Sequence, residues 1–100
     1  MSSARRYQAS WNGTVLADSD DVVIVEGNVY FPRESLAADQ VQPTNGRSLC
    51  IWKGLASYYD VVVDGVTNPG AAWYYPHPTP LARRVKGRVA FWQGVNVEVK

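Results

Sequence analysis

The chain has one cysteine and one histidine in 100 residues. A lone cysteine, Cys50, cannot close an intrachain disulfide, and Cys50 with His77 cannot assemble a Cys/His zinc site. No metal and no cofactor are therefore expected. Long apolar runs are missing too. Nothing approaches the ~20 residues that span a bilayer, and Met1-Ser2-Ser3-Ala4-Arg5-Arg6 leads into no apolar core of a secretory signal. Charge of one sign is also lacking: ten Lys and Arg oppose nine Asp and Glu, for a net charge of +1. The basic clusters, Arg5-Arg6 and Arg83-Arg84 with Lys86, have the pattern of a solvated surface and not of a stripe that tracks phosphates. These absences predict a cytoplasmic protein that partners neither nucleic acid nor a membrane. They leave the oligomeric state open between monomer and weak dimer.

What is present is an ordinary globular composition, 46% hydrophobic and 19% charged, with no signature of disorder. Surface scaling gives a folded area of ~5,700 Å² against ~16,000 Å² unfolded, enough for one core and too little for two. Four Trp and six Tyr are many for this length. Each carries an N–H or O–H that must find a partner or reach water, so a polar network or a wet pocket is expected at the edge of the core.

The expected organisation is a flexible arm over residues 1–8 and one β domain over residues 9–100. Residues 9–19 read as one strand with Gly13 as a bulge. Residues 22–25 (VVIV) and 29–31 (VYF) read as a hairpin turning at Gly27-Asn28. Pro32 ends it, two helical turns are expected over 33–40, and residues 42–47 (QPTNGR) read as loop. Residues 48–53 form a strand stopped by Gly54. Residues 56–64 alternate, with Tyr59, Val61 and Val63 facing a core and Tyr58, Asp60, Val62 and Asp64 facing away. Residues 65–70 read as a turn and 71–75 as a strand broken by Pro76, Pro78 and Pro80. A helical turn is expected over 81–86. Residues 88–92 and 95–99 form a closing strand pair, with Val89, Phe91, Val95, Val97 and Val99 inward. The class is all-β with minor helix.

Cys50-Ile51-Trp52-Lys53-Gly54 with Ala56 and Tyr58 resembles the Cys-Pro-aromatic-Lys-Gly-x-Ala-x-Tyr signature of the domain of unknown function 427 family. Trp11-Asn12-Gly13 with Leu16-Ala17-Asp18-Ser19, Glu26-Gly27 with Tyr30-Phe31-Pro32, Ala72-Trp73-Tyr74-Tyr75-Pro76 with Pro78, and Gly87 with Ala90-Phe91 follow in register, from about residue 9 to 99. The resemblance implies a small antiparallel structure of coiled, β-tent-like sheets, with the zinc ligands of other β-tents absent. It implies no settled reaction. A nucleotidyltransferase label accompanies the family, but no Gly-rich phosphate loop or paired metal-binding carboxylates are visible here. Ile51 stands where the family has Pro, which predicts a more strand-like approach to Lys53, and the segment from Phe31 to Cys50 is compact.

Two residues are candidates for covalent chemistry. Cys50 is a nucleophile if Lys53 or His77 lowers its pKa, and otherwise a small buried hydrophobe. Lys53, between Trp52 and Gly54, is a candidate for a desolvated amine of lowered pKa that binds an anion or forms an imine. Its alternative is a surface Lys whose stem packs on Trp52. Regular strand alternation would set Cys50 and Lys53 on opposite faces. Glu26, at the hairpin, is the natural counter-ion if it faces Lys53. Tyr58, Trp73 and Tyr75 are candidate aromatic walls. Lys53, Cys50, Tyr58, Trp73, Tyr75 and Glu26 thus compose a candidate pocket for a small anionic or aromatic ligand. The competing readings are an enzyme using Cys50 or Lys53 covalently and a protein-interaction or structural domain. His77, Asp60 and Asp64 read as exposed positions.

Overall fold

The computed structural model describes residues 5–100. Nine strands are β1 (Tyr7–Trp11), β2 (Thr14–Ser19), β3 (Val23–Val25), β4 (Asn28–Tyr30), β5 (Val41–Cys50), β6 (Gly54–Val63), β7 (Val66–Tyr74), β8 (Val89–Phe91) and β9 (Asn96–Val99). Short 3-10 turns over Arg33–Ser35, Ala38–Gln40 and Pro80–Val85 complete the secondary structure. Every strand pair is antiparallel, in sheets ordered β2-β1-β9, β3-β4 and β5-β6-β7-β8. The all-β class with minor helix holds.

Several boundaries differ from the sequence reading, mostly because two-residue X-Gly turns are more frequent than expected. Residues 9–19 are not one bulged strand but the β1–β2 hairpin, reversed at Asn12-Gly13 where both residues have positive φ. The β3–β4 hairpin turns at Glu26-Gly27, one residue earlier than expected, because Val25 pairs with Asn28. Residues 65–70 are no turn; the chain reverses at Asp64-Gly65 and runs on as β7. There a register shift lets Asp60 accept a hydrogen bond from the Gly70 N–H at 2.8 Å. Asp60 is therefore half-buried and engaged, while Asp64 is exposed. Residues 42–47 lie within β5, across an irregularity where Thr44 bonds the Tyr58 carbonyl at 3.0 Å. The expected arm ends early, since Tyr7 and Gln8 pair with both β2 and β9. Residues 1–4 of that arm lie outside the described residues. The closing strands do not pair with each other: β8 joins β7 and β9 joins β1, which leaves Val99 46% exposed at the sheet edge.

The four-stranded sheet has two working faces, set by alternation along each strand. Tyr59, Val61 and Val63 of β6 pack with Ala72, Val89, Phe91, Phe31, Leu16 and Ala9 in the main core, toward the β2-β1-β9 sheet. Alternate residues turn the other way. Ala56, Ala90, Tyr30, Tyr75, Ala82 and Val85 make a second cluster, with Cys50, Tyr58 and Trp73 at its margin. Phe31 exchanges two backbone hydrogen bonds with Val89, at 2.8 and 2.9 Å, and so fastens the β3–β4 hairpin beside β8. That attachment brings Asn28 and Tyr30 over the second face.

Candidate functional site

Lys53 is placed by a turn and not by a strand. β5 ends at Cys50, which pairs with Gly54, and residues 51–53 form the reversal between them. The strand-like approach expected from Ile51 is absent; Ile51 sits at the tip, 94% exposed. Strand alternation consequently does not separate Cys50 from Lys53. The proline-stiffened segment around His77 straps this turn down. Thr79 donates its N–H to the Lys53 carbonyl at 3.0 Å and its hydroxyl to the Trp52 carbonyl. Gly54, at φ +113°, lets the strap approach: a Cβ there would stand 3.3 Å from the His77 carbonyl oxygen. Only glycine occupies that backbone region without strain.

The strap and the hairpin enclose a long, flexible side chain. Lys53 is 6% exposed, and its ammonium donates to Glu26 Oε1. Trp52 Nε1 donates to the other Glu26 oxygen at 3.2 Å. The ammonium lies 5.0 Å from the Trp52 ring centroid and 5.8 Å from that of Tyr75, within cation–π range. Burial opposes the charge, yet the Glu26 hydrogen bond and the neighbouring Tyr30 and Cys50 together outweigh it, and the Lys53 pKa rises above its ordinary 10.5. This overturns the expected lowered pKa: Glu26, a counter-ion only if it faced Lys53, does face it, and its hydrogen bond is the largest of the contributions that together outweigh the desolvation on which the expectation rested. The same hydrogen bond, followed by that of Trp52, holds Glu26 below its ordinary 4.5.

The ammonium borders a recess of about 300 Å³ lined by Asn28, Tyr30, Lys53, Tyr58, Trp73, Tyr75 and Trp92. Its walls follow from register. Tyr58 pairs with Trp73 and Trp73 with Ala90, so two aromatic residues and one small one stand side by side on the sheet. Trp92, two residues beyond Ala90, meets Trp73 edge to face at 5.6 Å and is anchored by its indole N–H on the Gly70 carbonyl. Tyr30 meets Trp73 at 6.2 Å and accepts its indole N–H at 3.3 Å. Tyr58 shares a hydrogen bond with Ser48 at 2.7 Å. Burial raises the pKa of the Tyr30 phenol and, more strongly, that of Tyr75, so both stay protonated at neutral pH.

Of the six residues singled out from sequence, Lys53, Tyr58, Trp73 and Tyr75 line the recess, and Glu26 pairs with Lys53 from outside it. Cys50 is half-buried in the adjoining cluster and does not line it. His77 is exposed, and among the described residues no hydrogen bond joins its ring to Cys50. Three lining residues were not anticipated: Asn28, Tyr30 and Trp92. The alternation of β4, which sets Asn28 and Tyr30 on one face, was the available signal for two of them.

Among the described residues, no three His, Cys, Asp or Glu side chains group so as to hold a metal ion, and no helix is long and apolar enough to cross a membrane. Fold and site together define a small antiparallel β protein with one aromatic-walled, lysine-bearing recess on its second sheet face. The chain belongs to the family described as Domain of unknown function (DUF427), whose model matches residues 1–100, beyond the stretch that carries the motifs. No curated protein matches the chain.

Proposed function

We propose that this protein is a cytoplasmic small-molecule-binding module whose ligand, a compact molecule with a flat ring, occupies the recess beside Lys53. One observation carries the reading: side chains from β4, the 51–53 turn, β6, β7 and the segment after β8 converge on a single hollow around a buried ammonium. A buried charge disfavours folding unless paired, and aromatic walls with a few convergent polar groups are the usual composition of a ligand site. A recess of about 300 Å³ lies at the lower end of such sites. Covalent use of Lys53 is disfavoured, because imine formation needs the neutral amine and Lys53 is held charged. A thermal-shift screen of metabolites on the wild type and on Lys53→Met tests the proposal. Hits that stabilise the wild type and lose their effect in the variant support it. Hits indifferent to Lys53, or none, count against it.

A second reading, a protein-contact role, is favoured by the free edge of β5. Leu49 and Leu55, cross-strand partners, are 74% and 51% exposed beside Ile51, and an unpaired edge can recruit a strand. Sedimentation of the wild type against Leu49→Ser/Ile51→Ser would reveal self-association through this edge; a monomer at all concentrations excludes a second copy.

A further inference from the structure

We infer that the recess selects uncharged, planar ligands bearing hydrogen-bond acceptors, and that Glu26 imposes this selection. The inference rests on the binding function proposed above. A lysine ammonium has three N–H donors, and among the described residues Glu26 is the acceptor found for it. The Lys53 side chain is 7% exposed and lines the recess, so a molecule seated there can meet the donors that Glu26 leaves free. Buried donors without acceptors cost free energy, which an acceptor on a bound molecule recovers. The protonated phenols of Tyr30 and Tyr75 and the Asn28 amide add further donors.

Charge decides which acceptor is welcome. Glu26 reaches Lys53 from an adjoining hollow that it lines with Trp52, Leu81 and Arg84. With that carboxylate in place the ammonium is already neutralised, and no other Lys or Arg lines the recess. An entering carboxylate would surrender its hydration to meet a neutral pair, with the like charge of Glu26 behind it. An amide or ring carbonyl surrenders far less.

The backbone supports the same role. Four X-Gly reversals hold a non-glycine residue at positive φ: Asn12, Glu26, Asp64 and Gln93. Asn and Asp tolerate that conformation and suit such turns; Glu and Gln do not. At 26 the chain carries a residue poor for its turn (φ +54°) but long enough to reach Lys53. Gln93 bears the same conformation, but at 26 the side chain also meets a distant partner, Lys53.

The test is an NMR titration of the whole protein at pH 7 with 2-naphthamide and 2-naphthoate, which share a ring and differ in charge. The indole N–H signals of Trp73 and Trp92 report occupancy. Naphthamide is expected to bind at least tenfold more tightly. In Glu26→Gln, where Lys53 becomes an uncompensated cation, the order reverses; an unchanged order removes Glu26 as the selector. Should that variant not fold, the wild-type pair still decides. Equal or tighter naphthoate binding overturns the selection while leaving the binding function intact. Failure of both compounds to bind overturns both.

Discussion

Lys53→Met separates a residue kept for binding from one kept for folding. The substitution preserves an unbranched side chain of similar length and deletes the charge. Removing one partner of a buried pair is costly when the other is stranded in the interior. Here the partner left behind is Glu26, whose side chain is 51% exposed and can hydrate. What disappears from the folded state is the burial cost of a charge on a side chain 7% exposed, together with its hydrogen bond to Glu26; what takes its place is an apolar thioether against Trp52 and Tyr75. Apolar replacements of buried ion pairs are neutral or stabilising by roughly 1–4 kcal/mol, and the lower end, about 1 kcal/mol, fits a pair with one wet partner. For a domain of this size that is a rise of about 4–8 °C in Tm. Thermal and urea unfolding followed by circular dichroism measure it. A destabilisation above about 2 kcal/mol would show the ammonium to be a structural clamp and refute the reasoning.

Further outcomes follow from the same geometry. Gly54→Ala forces a Cβ to 3.3 Å from the His77 carbonyl at φ +113°; it should cost about 1–3 kcal/mol in urea unfolding and loosen the 51–53 turn. Phe31→Ala empties a fully buried position that packs on Phe91 at 5.9 Å and should cost about 3–5 kcal/mol; a loss under 1 kcal/mol would misplace the main core. In acid, Glu26 and Asp18, both lowered in the folded state, the latter first by its Gln8 hydrogen bond, contribute stability that is present above their ordinary values of 4.5 and 3.8 and is lost as pH falls through the folded ones. In alkali, the raised Lys53, Tyr30, Tyr59 and Tyr75 contribute stability that is present below their ordinary values and is lost as pH rises through the folded ones. Tm should therefore fall below about pH 4.5 and again above about pH 10, with the acid limb shallower in Glu26→Gln; an unaltered acid limb in that variant would deny the Lys53 contact.

Much of the fold was legible because alternation is a local signal. Residues 56–64 showed their buried face, and Tyr59, Val61 and Val63 are indeed core. The pocket was legible in part, since aromatics beside a lysine are unusual wherever they fall in the chain. What local reading could not supply was pairing. That β8 and β9 go to different sheets, and that the Trp92 ring ends against Trp73, depends on partners far along the chain. Turn register was the other blind spot. Placing the reversal at Gly27-Asn28 instead of Glu26-Gly27 moves Asn28 out of β4, and a one-residue slip exchanges the faces of a strand. Glu26 was legible as a counter-ion, but its place in the turn was not: turn chemistry argues against Glu at a left-handed corner, and the contact with the distant Lys53 depends on the fold.

The binding claim meets its most direct test in a crystal structure determined after soaking with a library of small ring compounds. The account predicts fragments seated between Trp73, Trp92 and Tyr75 with an acceptor atom about 3 Å from Lys53 Nζ. Fragments that gather elsewhere on the surface while this hollow stays free of them would contradict it.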